Sequence, residues 1–544
     1  MYKRLIALMA VLAIILTFAA GCNGGSGDVS GTPDTGTDSI YDTPGGKKYD
    51  EVVEVTTIRG LASNITFENG DSIEDNVWTR QALEEYNIKI TYKWTVPNSE
   101  YAEKFQLMLS SGDMPDYFFG TADNFDWLHK EGQLKDITDY ADQYLSQANK
   151  AILASDNGAA QELVTVNGRR FGIVQPAGHE SNAYIMWIRK DWLDNLGLDI
   201  PRTIDDLEAV LKSFKEDDPA GTGEDNYIPL GVSNEAWTGS IKGLMNSLGA
   251  YKAIWTEKDG KYAYSSIQPE MKTALQTLAN WYKLGYISPT YYNAGDDRIV
   301  ELMGYNRMGV AMANYVSGVL IKNAWKKTGG EWVACPLPSA TGEVAPSQIE
   351  TAANTYWYIT SACQHPDAVM KLFNMYTDKI DNEYSTFGVS ESGIELHNYF
   401  YPKLSNANEN MNMYLKFKDV LASGDTSSLN QLYKERFDSM QNYRVNGSEN
   451  KDDWSMNIVY GPGGALEAVY ENYFSTDNYI RNAWGGANTA GMNTYWAQLL
   501  TFENETFQAI ITGEKPIDYF DTFVAEWKRM GGDQITTEVN NALK

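Results

Sequence analysis

From about residue 50 onward, apolar and polar positions alternate or recur at helical spacing along most of the chain. Val52 to Ile58 is β-branched and bounded by Gly60, which predicts a first strand. Asn76 to Tyr86 puts Trp78, Ala82 and Tyr86 on one helical face, and Ile88 to Trp94 alternates like a strand. Glu100 to Ser111 reads as an amphipathic helix ended by Gly112, and Asp116 to Gly120 as a short buried strand. Further strands are expected at Arg170 to Gln175, Tyr184 to Arg189 and Gly309 to Ala313. Helices are expected at Lys190 to Gly197, Thr203 to Phe214 and Pro269 to Leu284, with Gly197 as a C-cap and Pro269 in a first turn. Trp332 to Pro338, with Pro336 and Pro338, reads as an extended crossover, and the chain beyond Pro366 as mostly helical. Strands alternating with helices predict an α/β protein whose sheets are covered on both faces.

The first 49 residues break this pattern. Lys3 and Arg4 precede an apolar run, Leu5 to Phe18, and then Ala19, Ala20, Gly21 and Cys22. Such a run is a secretory signal (residues 1–21), too short for a span of about 20 apolar residues. Ala19-Ala20-Gly21-Cys22 resembles the bacterial lipobox, although Ala19 stands where Leu is usual, and implies lipidation of Cys22. From Asn23 to about Tyr49 there is too little apolar surface to offset ordering, so residues 22–49 are expected to be a lipidated cysteine and a flexible tether.

Composition narrows the function. The remaining chain is too long for one core, so two lobes are expected. A net charge of −28 argues against nucleic acid and against lying flat on anionic lipid. Cys335 and Cys363 are too few for a disulfide framework and are expected to be buried free thiols.

Several ordered segments resemble the family 1 bacterial extracellular solute-binding proteins, in the long lipoprotein branch serving oligosaccharide ABC importers. They are Ser111-Gly112-Asp113-Met114-Pro115-Asp116, Trp187 through Leu198 (WIRKDWLDNLGL), Pro201 through Phe214, Gly309 to Met312, His365 to Ala368, and Phe520 to Asn540. The resemblance implies a type II periplasmic-binding-protein-like fold, two lobes joined by hinge strands with a helical C-terminal region. It implies ligand trapped between the lobes and handed to importer permease subunits. The expected partition is 50–183 plus 286–340 for the N-terminal lobe and 184–285 plus 341–544 for the C-terminal lobe, with crossings near Tyr184 and near Cys335 to Thr341. A monomer on the outer face of the cytoplasmic membrane, touching lipid only through its anchor, completes the picture.

Aromatic residues make up 12% of the chain, and flat rings with convergent polar groups suit the C–H faces and hydroxyls of sugars. Trp192, Trp281 and Trp527 lie on amphipathic helices and are expected in the core. Trp78, Trp237, Trp357, Trp484 and Tyr315 sit near element ends, and Trp187 and Arg189 lie on the family's lobe-crossing strand. With Asp123 and Tyr184, these are the candidate ligand contacts, Arg189 being also a candidate structural ion-pair partner. Asp217 through Asn226 is similar to a loop that binds calcium in some relatives. Asp218, Thr222 and Glu224 are weak ligand candidates, because Ala220 lacks a ligand oxygen, and a polar turn fits equally.

Catalytic motifs are not apparent. None of His129, His179, His365 and His397 falls in a metal-ligand pair, no G-x-S-x-G elbow occurs, and Gly461-Pro462-Gly463-Gly464 lacks the Lys-Ser/Thr of a phosphate loop. The sequence therefore favours a non-catalytic carbohydrate receptor without cofactor. A secreted glycan-active enzyme or a surface adhesin are the rival readings, since 72 acidic residues offer many candidate carboxylate pairs.

Overall fold

A computed structural model describes residues 44–543, apart from 63–64, 177–179, 222, 224–226, 234–238, 323–324, 327–328, 350–352 and 391. The expected signal, Cys22, most of the tether, Trp237, Thr222 and Glu224 fall outside these residues.

The end of the expected tether is already folded. Gly45 and Gly46 are buried, and Lys371 donates to the carbonyls of Pro44 and Lys47. Gly45 passes so close to the Tyr144 carbonyl that a Cβ there would lie 2.0 Å from its oxygen. Only glycine allows that approach.

The chain builds two lobes, the second around one core and the first around two, one on each face of its sheet. In the first, strand β1 (Val53–Leu61) pairs in parallel with β2 (Ile88–Pro97), and β3 (Tyr117–Gly120) lies alongside. Asp116 joins β1 to β3: its carboxylate accepts from the backbone N–H and the hydroxyl of Thr56, both at 2.7 Å. Helix α1 (Ala122–Lys130) and strand β4 (Ile173–Pro176) follow. The chain then enters the second lobe, where β5 (Ile185–Arg189), β6 (Ile228–Gly231), β7 (Met308–Ala313) and β8 (Trp332–Cys335) form one sheet in the order β8-β5-β7-β6. All five residues of β5 and all six of β7 are buried, as expected of strands covered on both faces.

After β9 (Ser347–Ile349) the chain returns to the first lobe as β10 (Ala353–Ile359). β10 inserts between β3 and β4, antiparallel to both. Helix α2 (Pro366–Asn382) and the segment through Leu404 complete the first core. A third crossing leads to α3 (Glu409–Ser423), α4 (Gln431–Asn446), β11 (Tyr479–Arg481) and α5 (Ala490–Ile511), all packed on the second lobe.

This partition departs from the one expected. Residues 286–340 pack with 184–285, because β7 hydrogen-bonds to β5 and β6. Residues 353–404 belong to the first lobe, contributing to both of its cores. The expected crossing at Cys335 to Thr341 is instead strand β8 on the edge of the second sheet, antiparallel to β5, followed by an extended segment whose backbone pairs with Arg202 and Ile204. The crossings lie between Pro176 and Ile185, between Ile349 and Ala353, and between Leu404 and Glu409.

The C-terminal signature has a structural basis. Glu538 accepts from the Gly491 N–H at the start of α5, and Asn540 bonds in both directions to the backbone of Tyr262. Cys335 and Cys363 are both buried and free, in different lobes, with thiols pushed up to about 12 chiefly by burial.

Candidate functional site

The lobes meet along a seam next to the first and third crossings. The first crossing is held to the second lobe by Tyr479, whose hydroxyl donates to the Glu180 carbonyl at 2.7 Å. The third is held to the first lobe where Ser405 N–H donates to Gln175 Oε1 at 3.1 Å. Beyond β11 the chain reaches back across the seam. Asn488 donates to Asp123 twice, from its backbone N–H (3.0 Å) and its side-chain amide (3.1 Å). Asp123 sits in the first turn of α1, where the helix dipole favours a carboxylate.

Beneath this strap, Phe125, Leu163 and Tyr356 of the first lobe and Trp484 to Ala487 of the second enclose a cavity of about 190 Å³. The Trp484 ring is half-buried, and its indole N–H is buried without a hydrogen-bond partner among the described residues. Burying such a donor unpaired costs about 1–3 kcal/mol. A larger groove, about 1,110 Å³, is lined by the second lobe alone, between Lys190, Arg202 and Pro336.

Of the expected contacts, Trp484 and Asp123 come together at the seam. Tyr315 reaches a polar network: Asn410 donates to its hydroxyl at 2.6 Å, Tyr460 donates to the Asn410 carbonyl oxygen, and Arg436 donates to Tyr460 at 3.3 Å. The other aromatics are structural. Trp78, Trp187 and Trp357 are at most 1% exposed, and each gives its indole N–H to a backbone carbonyl, of Leu396, Asn314 and Lys403 respectively. Loop-like sequence neighbours misplace them: each ring fills a core while its N–H fixes the loop beside it. Tyr184 is buried against Gly243, with its backbone N–H on Ser347.

Arg189 is not at the seam. It is 3% exposed, paired to both oxygens of Asp191, bonded to Asn306 and stacked on Trp192, which accounts for the Arg-Lys-Asp-Trp signature by packing. Asp218 accepts from the Gly223 N–H at 2.9 Å, the bond of a polar turn. Trp192, Trp281 and Trp527 are core residues, as expected.

The sequence reading passed over a set of basic side chains beside the third crossing. Arg59 is the buried one of the two charged residues in β1, Glu54 being exposed. It is 3% exposed, donates to the carbonyls of Asn398 and Tyr399, and lies 3.7 Å from the centre of the Tyr401 ring. Lys403 is half-buried and donates weakly to Asn398 Oδ1 at 3.4 Å. Burial, then the Arg59 charge, push its ammonium down to about 8. His397 stands within electrostatic reach of both Lys403 and Arg436, and burial lowers its pKa. The available signal was Arg59 itself, a cation where alternation demands an apolar side chain.

Residues 66–383 match the family described as bacterial extracellular solute-binding protein. The chain belongs to that family. Its relatives are binding proteins rather than enzymes. The chain is 26% identical over 245 residues to the polygalacturonan/rhamnogalacturonan-binding protein YtcQ of Bacillus subtilis (strain 168), covering 44% of this chain and 46% of the relative. It is 35% identical over 176 residues to lipoprotein LipO of the same organism, covering 31% and 32%. Both matches thus span less than half of the relative's length. The fold matches that of the Streptococcus pneumoniae ABC-transporter substrate-binding protein FusA, solved as an EF-hand mutant with fructo-nystose. That likeness has a TM-score of 0.63 at 16% identity over 90% of this chain and 99% of the other. Among the described residues no helix is long and apolar enough to cross a membrane.

Proposed function

We propose that this protein is the lipid-anchored receptor of an ABC importer and captures an oligosaccharide between its lobes. The observation that carries the reading is the strap from Asn488 to Asp123 over Trp484, which joins two separately cored lobes across a seam. A ring with an unpaired N–H at such a seam supplies a stacking face and a donor to a sugar hydroxyl. Ligand that touches both lobes selects the closed arrangement in proportion to its extra affinity for it. The names of YtcQ and FusA support a saccharide, and that of LipO supports the anchor read at Cys22.

A thermal-shift screen of the folded part against a glycan library tests the capture step, because a ligand that binds only the native state raises its melting temperature. The reading requires at least one oligosaccharide to do so without being turned over. Cys22→Ala should release the protein from membranes; retention after detergent-free washing would rule out the lipid anchor.

A further inference from the structure

Three of the buried or largely buried cations are paired with carboxylates. Arg189 pairs with Asp191, Lys379 with Glu85 and Glu383, and Lys252 with Glu503. Lys371 has no such pair among the described residues, but its ammonium donates to two carbonyls, lies over the Tyr49 ring and has Asp367 within electrostatic reach.

Arg59 and Lys403 differ. Neither has an ion-pair partner among the described residues, and the two are like charges within reach of each other. Arg59 Nε is buried and meets no acid among the described residues, its polar neighbour being the buried Tyr92 hydroxyl. Glu395, the acid within electrostatic reach of Lys403, is exposed and accepts at 2.7 Å from the Asn398 amide. Two unneutralised cations side by side, in a chain of net charge −28, are costly to hold in low dielectric. The cost is removed if an anion from outside completes the cluster.

The position suits a ligand. Arg59 is near the end of β1, and Lys403 begins the third crossing. Lys403 is the more exposed of the two, while Arg59 is buried and clamps the carbonyls of Asn398 and Tyr399. His397, which burial holds toward its neutral form, stands within electrostatic reach of Lys403 and of Arg436, and Arg436 donates to Tyr460 of the Tyr315–Asn410–Tyr460 network, whose hydroxyls and amide suit sugar hydroxyls.

We propose that Lys403, backed by Arg59, binds the carboxylate of an acidic saccharide, so that the ligand is a uronate-containing oligosaccharide rather than a neutral one. This rests on the reading of the seam as a saccharide site. Lys403 makes a charge-assisted bond to the carboxylate, and Arg59 positions the 398–403 backbone and adds field.

The test is calorimetric titration of the folded protein with uronate oligosaccharides, their methyl esters, and neutral oligosaccharides of equal length. The ester keeps size and hydroxyls and removes the charge. The acid should bind at least tenfold more tightly than its ester. Lys403→Met should erase that difference, weakening the acid at least tenfold while leaving the ester within about twofold, and should leave the apo melting temperature equal or higher. Equal affinity for acid and ester in the wild-type protein, which needs no variant, overturns the proposal. So does tight binding of a neutral oligosaccharide unaffected by Lys403→Met, a result that leaves the receptor reading standing. If no oligosaccharide of any class binds, the receptor reading falls and takes this inference with it.

Discussion

Trp357 donates its indole N–H to the backbone carbonyl of Lys403 at 3.0 Å. One residue thus fills the first core, against Phe373 and Tyr401, and fixes the segment that opens the third crossing. Trp357→Phe keeps most of the packing and leaves that carbonyl unpaired. The variant should lose about 1–3 kcal/mol in urea unfolding. It should also weaken ligand binding, because the Lys403 backbone loses its anchor. A stability loss with unchanged affinity would separate the core from the seam.

Lys403 carries its own pH signature. Its pKa falls from an ordinary 10.5 to about 8 on folding, so between those values the unfolded chain binds more protons. Stability should therefore rise as pH increases from about 8 to 10.5, and Lys403→Met should abolish that rise. Burying the charge below pH 8 costs roughly 1–3 kcal/mol, which the Met variant should recover. Charge on the acidic ligand requires the opposite trend in binding, with affinity falling above pH 8.

Asp381 on α2 shows the reverse sign. Burial, then Glu409 on α3 and Asp378 on its own helix, raise its carboxyl from 3.8 to about 7. The folded state then binds the extra proton, so this contribution is present below about pH 4 and lost as pH rises through 7. Asp381→Asn should be more stable than wild type by roughly 2 kcal/mol at pH 8 and equal to it at pH 4, in paired chemical melts.

The strap and the ring beneath it predict separable effects. Asp123→Ala removes bonds between exposed groups, so unfolding should change by less than about 1 kcal/mol. The apo protein should nevertheless sample a more open shape, seen as a larger radius of gyration in small-angle scattering, with weaker ligand binding. Trp484→Ala should cost about tenfold in affinity, or 1.4 kcal/mol, at little cost in stability. Trp192→Ala is the contrast, losing about 3–5 kcal/mol of stability as a core tryptophan.

Local periodicity made many elements legible. Trp78, Ala82 and Tyr86 do form one buried helical face, and Gly197 does cap its helix in the left-handed region. The ordered motifs pointed to the family and its fold. The lobe partition was not legible, because β7 and β5 become neighbours only through sheet pairing across more than a hundred residues. Nor was the exposure of single tryptophans. Trp357 and Trp484 both sit near small or polar residues, and only the third dimension tells that one faces a core and the other the seam. Arg59 was visible as an anomaly, but Lys403, its partner, lies far along the chain.

The insertion of β10 between β3 and β4 has a consequence for the order of folding. While the chain is being made, the first lobe holds the two outer strands of its sheet with a gap between them until residues 353–359 arrive. Everything from residue 177 to 352, most of another lobe, must emerge first. The edges of β3 and β4 therefore wait unpaired, which is the arrangement most open to pairing with other chains. Such long-range pairing is also slow to form. The first lobe therefore cannot close its sheet until about two-thirds of the chain has been synthesised.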